Sequence, residues 1–343
     1  MRSNWRKQIS LLCAVLGLSV GAAGAQEKLP APIPKTEPLI MSSCEDAPLS
    51  EWYTQAGAVI LHRSVGSQAI LITNPAGTAV LNRANDFNFS WDAGPQVLVG
   101  KKIDDCTAIE AGYFGLYNMH AALNQAGPGT APGSPFAGVN FFADYHSTMN
   151  SVELNFRRWV SCDLSIFAGV RYVNWHEDLD GGFVVPGRAA IVPPPGVAVL
   201  PIIPAVPAFP AFTSIVTNNN LFGAQVGGDW QTSIGERAGI GAFGKAGLYG
   251  NEAYARATAG PVIATASGVR GQVAFLGELG VIGTYKATDS LTLRAGYTVM
   301  WIEGIALAPD QLANINFANR TISVDSHGGS FLHGAIVGAE FRW

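Results

Sequence analysis

The sequence places charged side chains at alternate positions within segments that are otherwise apolar. Side chains two residues apart in a strand share one face of the sheet, so these charges are predicted to line one side of it. Basic members outnumber acidic ones, eight to five. If these side chains line a polar passage, they would select solutes by charge, with a weak preference for anions. If they pair with one another instead, they would keep the interior closed. They are Glu110, Glu153, Arg157, Arg171, Asp229, Arg237, Lys245, Arg270, Glu278, Lys286, Arg294, Glu340 and Arg342.

The cysteines favour a disulfide over a metal site. Cys44, Cys106 and Cys162 follow the amino-terminal apolar segment, and the absence of a C-x-x-C pair argues against zinc. In an oxidising compartment two of the three could pair, and their spacing leaves the choice of partners open. The acidic run 177–182 could bind calcium through oxygen ligands, but it lacks the spacing of an EF-hand and is interpreted as a solvated turn. We predict no metal and no cofactor.

Six histidines are the remaining candidates for chemistry. A serine–histidine pair can form a hydrolase site on a barrel surface, but no G-x-S-x-G nucleophile motif accompanies these residues. Single histidines more often belong to strands or loops, so we predict no catalytic residues and no enzymatic activity. The histidines are His62, His120, His146, His176, His327 and His333.

The elements that must position the charges are strands, and the alternation is clearest near the carboxy terminus. Phe331, Val337 and Trp343 share one face of the last segment, whereas Gly334 and Glu340 share the other. The same two-faced pattern recurs in six earlier segments and is fainter at three more. The clear ones are 291–301, 269–286, 237–249, 222–231, 164–172 and 152–157, and the faint ones are 107–118, 93–101 and 52–63.

The connections between these segments alternate in length. Short links fall near 101–106, 160–163, 232–236 and 287–290, and long links near 64–91, 119–147, 177–218, 251–268 and 305–330. Short periplasmic turns that alternate with long external loops are typical of outer-membrane barrels, which have an even number of strands. We therefore predict about ten strands, within a range of 8 to 12.

Composition and backbone chemistry both favour a closed sheet. Charged residues are 13% of the chain, against about 25% in soluble domains. The one long uncharged run, 189–216, falls among eight prolines beginning at Pro186, which forbid a regular helix. In hydrocarbon, strands can satisfy their backbone amides only if the sheet closes. The predicted fold is all-β: a closed antiparallel transmembrane up-and-down β-barrel with short periplasmic turns and long external loops.

The predicted organisation is a signal peptide, a leader and one barrel. Arg2, Arg6 and Lys7 precede an apolar stretch that ends in an A-x-A cleavage pattern, so 1–25 is predicted to direct export. Residues 26–50 form a proline-rich periplasmic leader, and 51–343 form the barrel with a long external loop at 177–218. Phe341 and Trp343 form an aromatic carboxy-terminal ending, as in many outer-membrane barrels. Both termini are expected in the periplasm.

Several segments resemble one known family. They are 52–61 with its opening Trp-Tyr, 169–172 with 177–179, 218–223, 244–249 and 333–343. Together they resemble β-barrel porin family 7, outer-membrane proteins of planctomycetes that are distantly similar to the pore-forming major outer-membrane protein of legionellae. The resemblance covers most of the chain after the signal and implies an outer-membrane, porin-like role. The proline-rich insert 186–210 departs from that pattern, and its role stays open.

The sequence therefore favours a porin-like barrel of the cell outer membrane that allows or regulates passive passage of small solutes. A structural or adhesive surface barrel without an open pore is the alternative, and an outer-membrane hydrolase is less favoured. The expected partners are outer-membrane lipid, the barrel-assembly machinery and small solutes. A net charge of −4 gives no basic footprint for nucleic acid. Solute identity, oligomeric state and the openness of the lumen stay undetermined.

Overall fold

The computed structural model describes residues 52–131, 137–187, 207–260 and 264–343. The predicted signal peptide and leader lie outside these ranges, as do Cys44 and most of the proline-rich insert. In chain order the described strands are β1 (Trp52–Val65), β2 (Ile70–Thr73), β3 (Val80–Arg83), β4 (Asp92–Asp104), β5 (Thr107–Thr130), β6 (Ala137–Trp159), β7 (Leu164–Val185), β8 (Phe209–Ile234), β9 (Ala238–Ala259), β10 (Ala264–Lys286), β11 (Leu291–Ile305), β12 (Ile315–Asn316), β13 (Thr321–Ile322) and β14 (Gly328–Arg342).

Ten of the described strands form a closed antiparallel barrel, which confirms the predicted fold class. Neighbours in the chain pair from β4 through β11, β1 pairs with β4, and β14 pairs with both β11 and β1. The remaining strands form two small hairpins, β2–β3 and β12–β13. Two 3-10 helices, Ala84–Asp86 and Pro309–Asn314, lie in the connections. No helix in the described part of the chain has the length and apolar character needed to cross a membrane.

The pairing register fixes the tilt of the strands. Following directly paired residues around the barrel from Tyr53 leads back to β1 at Val65, twelve residues further along. Such a stagger tilts barrel strands by about 35–45° from the axis. Barrels of eight strands are filled by their own side chains, so a barrel of ten leaves little room for an open channel.

The outer surface carries a belt of exposed apolar side chains. Phe222, Val226 and Leu248 face outward with 62%, 63% and 64% of their surface exposed, and Val273 with 71%. Exposed apolar residues on every neighbouring strand suit hydrocarbon rather than water, because the barrel satisfies its backbone amides internally. Aromatic residues mark the end of the belt near the short turns, as an interfacial girdle does: Trp52, Trp230, Tyr285, Phe341 and Trp343.

Strands β5 to β10 continue well beyond the apolar belt, and this corrects the predicted loops. Segments 119–147, 177–218 and 251–268 were expected to be loops, yet paired strand runs to Thr130, Val185 and Ala259 on one side of the connections. The pattern inverts there: in β7, Trp175 and Leu179 face inward and are buried, while His176 faces outward. This arrangement suits a wall surrounded by water, so the alternation typical of a membrane strand is lost although the strand continues.

The two ends of the barrel differ. At one end, here called the short-turn end, tight turns join β4 to β5, β6 to β7, β8 to β9 and β10 to β11. At the other, here called the loop end, the β1–β4 and β11–β14 connections fold back over the lumen. Phe87 and Phe89 from the first connection, and Leu307 and Val324 from the second, are buried with the inward side chains of the walls.

Candidate functional site in the barrel lumen

The lumen near the short-turn end holds a cluster of paired charges. Arg157 of β6 donates from Nε to Glu110 Oε1 at 2.7 Å and also pairs with Asp229 of β8. Tyr53 of β1 donates its hydroxyl to the same Glu110 oxygen at 2.5 Å. Four strands therefore meet through these side chains, and each predicted charge has a partner of opposite sign.

A second cluster of charges crosses the middle of the lumen. Lys245 of β9 lies 3.0 Å from Glu153 Oε2 and 3.2 Å from Glu278 Oε2. Arg171 of β7 approaches Glu278 Oε2 at 3.4 Å and receives support from Ser151, whose hydroxyl accepts from Nε at 2.7 Å. The four charged side chains are at most 12% exposed. Two acids and two bases cancel, so this mid-lumen cluster closes the barrel without net charge.

The remaining predicted residues lie nearer the rims. Arg294 contacts Glu340 at 2.6 Å inside the short-turn end, and Arg270 donates to the backbone oxygen of Val324 near the loop end. The structure corrects two placements and refines a third. Arg237 is exposed in the β8–β9 turn, and Lys286, half exposed, pairs with Asp289 of the next turn. Arg342 bonds Glu340 but is 59% exposed at the rim. The three residues lie beyond the last position of their strands that faces the lumen. The alternation along the strand therefore no longer determines where their side chains point.

The most buried charge pair in the loop half joins β1 to β7. Arg63 and Glu177 form an ion pair with both side chains fully buried. The Arg63 guanidinium lies over three aromatic rings, those of Phe89, Tyr145 and Trp175, at 4.7, 5.0 and 4.8 Å from their centroids. Stacking of this kind compensates part of the lost hydration of the cation.

Glu177 collects several donors besides Arg63. Tyr145 donates its hydroxyl at 2.6 Å, Trp175 its indole N–H at 2.8 Å, and the backbone N–H of Ala308 donates at 2.8 Å. The predicted solvated turn at 177–182 is therefore wrong, because this run is strand: Glu177 faces inward and Asp178 outward. A buried carboxylate requires such partners to be tolerated.

The β11–β14 connection, residues 306–327, is here called the plug. Asn219 of β8 holds its first residue at both backbone groups: Ala306 N–H donates to Oδ1 at 2.7 Å, and Nδ2 donates to the Ala306 oxygen at 3.0 Å. Asn251 of β9 donates to the oxygen of Gly304 at 2.9 Å. Side chains of β8 and β9 thus replace the backbone hydrogen-bond partners that the chain loses where it leaves the sheet.

Gly304 allows the chain to leave the wall. It adopts a left-handed φ of +85° beside a register shift between Glu303 and Ile305. A Cβ there would lie 2.7 Å from the backbone oxygen of Val273, so glycine is needed both for the turn and for the close approach. The chain then turns inward, and Ala306, Leu307 and Ala308 are fully buried.

Sequence reasoning missed Arg63, Glu177, Asn219 and the plug. Glu177 was assigned to a loop and Arg63 to the last position of the faint strand 52–63, since the alternation that identifies membrane strands fades at both positions. The available signal was a polar residue flanked at alternate positions by large apolar ones, as in Val173, Trp175, Glu177 and Leu179. That pattern indicates a buried polar group in a strand that lies outside lipid.

The histidines do not gather with serine in the described structure. His333 Nδ1 lies 2.6 Å from the hydroxyl of Tyr297, and His176 Nε2 lies 3.0 Å from Asp178 Oδ2. His120 and His146 stack with ring centroids 4.3 Å apart. No group of three or more metal-ligating side chains is found among the described residues.

Cys106 and Cys162 lie in neighbouring turns at the short-turn end, as predicted. The N–H of Trp159 donates to the Cys106 oxygen at 2.8 Å and links the two turns. The two cysteines are not bonded to each other. A disulfide of either one with Cys44, which lies outside the described residues, stays a prediction.

The carboxy-terminal aromatic residues complete the short-turn end. Phe341 and Trp343 are about half exposed and their rings stack, with centroids 5.5 Å apart. The backbone of Trp343 exchanges two hydrogen bonds with Trp52, at 3.2 and 3.1 Å. The first and last described residues are therefore joined at the seam where the barrel closes.

The chain is similar in structure to several solved proteins at low identity. For the outer membrane protease OmpT from Escherichia coli, the TM-score is 0.49 at 10% identity, over 87% of this chain and 99% of that one. For the Pseudomonas putida toluene transporter TodX, it is 0.34 at 12%, over 86% and 90%. For Acinetobacter baumannii CarO2, it is 0.25 at 13%, over 84% and 98%. No protein-family model and no curated protein matches the sequence.

Proposed function

We propose that this chain is a porin-like barrel of the cell outer membrane that regulates the passage of small solutes, and that the described lumen is its closed conformation. The observation that carries the proposal is a lumen lined with charges of both signs and closed by side chains and a loop. Such contacts can open while the ten barrel strands stay paired, because none of them belongs to the antiparallel ladders of the barrel wall. In the described part of the chain, the plug adds only one parallel pairing to that wall, of Thr321 with Ser267. Charged linings of this kind select solutes in channels.

The outer-membrane location is supported by the apolar outer surface and by the number and connections of the strands. The apolar belt, the aromatic residues at its short-turn end and the even number of strands match membrane barrels. The predicted signal peptide provides export. The resemblance to β-barrel porin family 7 implies the same location and role, and we keep membership of that family as part of the proposal.

A structural or adhesive surface barrel without a pore is the second candidate. The charge cluster across the lumen favours it, because charges that neutralise one another in a closed interior need no role in transport. The cluster consists of Glu153, Arg171, Lys245 and Glu278. The two candidates share one fold. They differ in whether the lumen conducts when its internal contacts are removed.

Conductance in planar bilayers tests the proposal, and the two closures call for separate and combined variants. One variant replaces the plug with a short glycine–serine linker. A second, Arg171→Ala with Glu278→Ala, removes one charge of each sign and leaves Lys245 paired with Glu153. Because the closures lie in series, we expect current steps to be largest in the combined variant and smallest in the wild type.

A matched control keeps this result interpretable. Shortening the exposed β2–β3 turn, residues 74–78, alters a loop at the same end without touching the lumen. That control should conduct like the wild type. A combined variant that folds, inserts and still shows no current above background would exclude the channel and leave the structural barrel.

A further inference from the structure

One acidic residue of the plug has no cationic partner in the described part of the chain. Asp310, in the 3-10 helix Pro309–Asn314, accepts a hydrogen bond from the hydroxyl of Ser67 in the β1–β2 connection. Its Oδ2 oxygen also lies within 3.0 Å of where a Cβ on Gly328 of β14 would stand. The carboxyl group therefore lies between the plug's own 3-10 helix, the β1–β2 connection and the start of β14. It links the plug to the rim of the barrel.

The charged groups that face Asp310 are acids. Asp325, further along the plug, and Glu177 of β7 both act on it with negative charge. Each already has a cationic or potentially cationic partner: Glu177 is paired with Arg63, and Asp325 lies 2.8 Å from His327 Nδ1. Among the described residues, Asp310 forms no ion pair with lysine, arginine or histidine. Ionisation of Asp310 therefore adds an uncompensated negative charge where the plug meets the wall.

We propose that Asp310 makes the packing of the plug sensitive to pH, and we call it the latch. When its carboxyl group is protonated, the plug stays packed in the loop end of the lumen. When the carboxyl group is ionised, the plug packs less tightly. The neutral carboxyl can rest against Ser67 and the acids without repulsion, and its own proton becomes available as a hydrogen-bond donor. The ionised carboxylate loses hydration in that position and repels both Asp325 and Glu177. The consequence for conduction rests on the proposed function, whereas the latch itself can be measured in a barrel that never conducts.

The direction of the pH dependence follows from the same geometry. Burial, with the neighbouring acids, raises the pKa of Asp310 from 3.8 to about 6, although the Ser67 hydrogen bond opposes the shift. An acid whose pKa is raised in the packed state stabilises that state at low pH. This stabilisation declines as the pH rises from about 4 to 6 and is absent above that range. Asp325 does not share the window, because its contacts with His327 hold its pKa below the ordinary value.

Hydrogen exchange of the plug amides is the direct test. The N–H groups of Ala306 and Ala308 donate to Asn219 and Glu177, so their exchange reports whether the plug is seated. Wild type and Asp310→Asn are compared at each pH from 4 to 7, so that the intrinsic chemistry of exchange cancels. At pH 4 the two should exchange alike. At pH 7 the wild type should exchange faster by up to about a hundredfold, since each pKa unit is worth a factor of ten.

Two controls separate the latch from general destabilisation. Asp289→Asn changes a fully exposed acid in the β10–β11 turn and should follow the wild type at every pH. Peptides from β7 and β8 must keep their protection, which shows that the wall stays folded. A ratio of wild-type to Asp310→Asn exchange that does not vary with pH would overturn the latch, and it would do so whether or not the protein conducts. Conductance absent in every variant would instead count against the proposed function alone.

Discussion

Replacing Glu177 with leucine should lower the free energy of unfolding by about 3–5 kcal/mol, which is the usual cost of leaving a buried charge without its partner. Arg63 would remain fully buried between aromatic rings with no carboxylate to neutralise it. Tyr145, Trp175 and the Ala308 N–H would lose the same acceptor. Reversible urea unfolding in detergent micelles or lipid vesicles, followed by tryptophan fluorescence, measures the loss.

The matched variant combines Arg63→Met with Glu177→Leu. It removes both charges and keeps side chains of similar length, and such replacement of a buried ion pair is often neutral or even stabilising. The double variant should therefore be more stable than the single one. If the single variant loses less than about 1 kcal/mol, Arg63 is reached by water and the described packing of the loop half is wrong.

The second large effect concerns the apolar belt. Val226→Arg places a cation in the middle of the belt on β8, where Val226 is 63% exposed. In a bilayer a midplane arginine on a barrel surface costs about 2–4 kcal/mol. Asn218→Arg lies on the same strand and the same outward face, eight residues nearer the loop end, where the cost should fall to about 0–1 kcal/mol.

Measuring the free energy of unfolding of both variants and of the wild type in lipid vesicles distinguishes lipid from solvent at the two positions. Val226→Arg should lose more stability than Asn218→Arg, because only the former places a charge in hydrocarbon. Equal costs at the two positions would mean that Val226 does not face lipid, and the membrane placement of the belt would fail with it.

The parts of the fold that lie in the belt were predictable from sequence. There every outward side chain is apolar, so strands such as 152–157 and 164–172 stand out by simple alternation. The same requirement gave the number of strands and the positions of the short turns. The inward direction of Glu153, Arg171 and Glu278 followed as well, since it needs only the parity of each position within its strand.

The loop half of the barrel was not predictable in this way. Beyond the belt the wall meets water on the outside and its own apolar core within, so the polarity of the two faces reverses. In β7 the reversal falls between Tyr172, which faces outward with 41% exposure, and Trp175, which is buried. The period of two continues through the reversal, but the apolar residues move to the opposite face. The upper part of the strand was therefore assigned to a loop.

The partners within the lumen depend on geometry that the sequence does not carry. Lys245 meets Glu153 although the two are 92 residues apart, and they lie on strands separated by two others. Which inward residues meet across the lumen depends on the stagger of the whole sheet, and that stagger is the sum of every pairing around it. Faces can be deduced one strand at a time, whereas contacts across the interior cannot.

The seam between β1 and β14 has a consequence for how such a molecule comes into being. Tyr53 pairs with Arg342, so the two ends of the described chain must meet before either has a complete set of neighbours. Contacts between positions so remote in sequence form slowly, and until they form, two strand edges stay available to other chains. While the barrel forms, its unpaired strand edges must therefore be shielded from other chains. Once the barrel has closed, it should persist, because no strand can leave without breaking its hydrogen bonds to both neighbours.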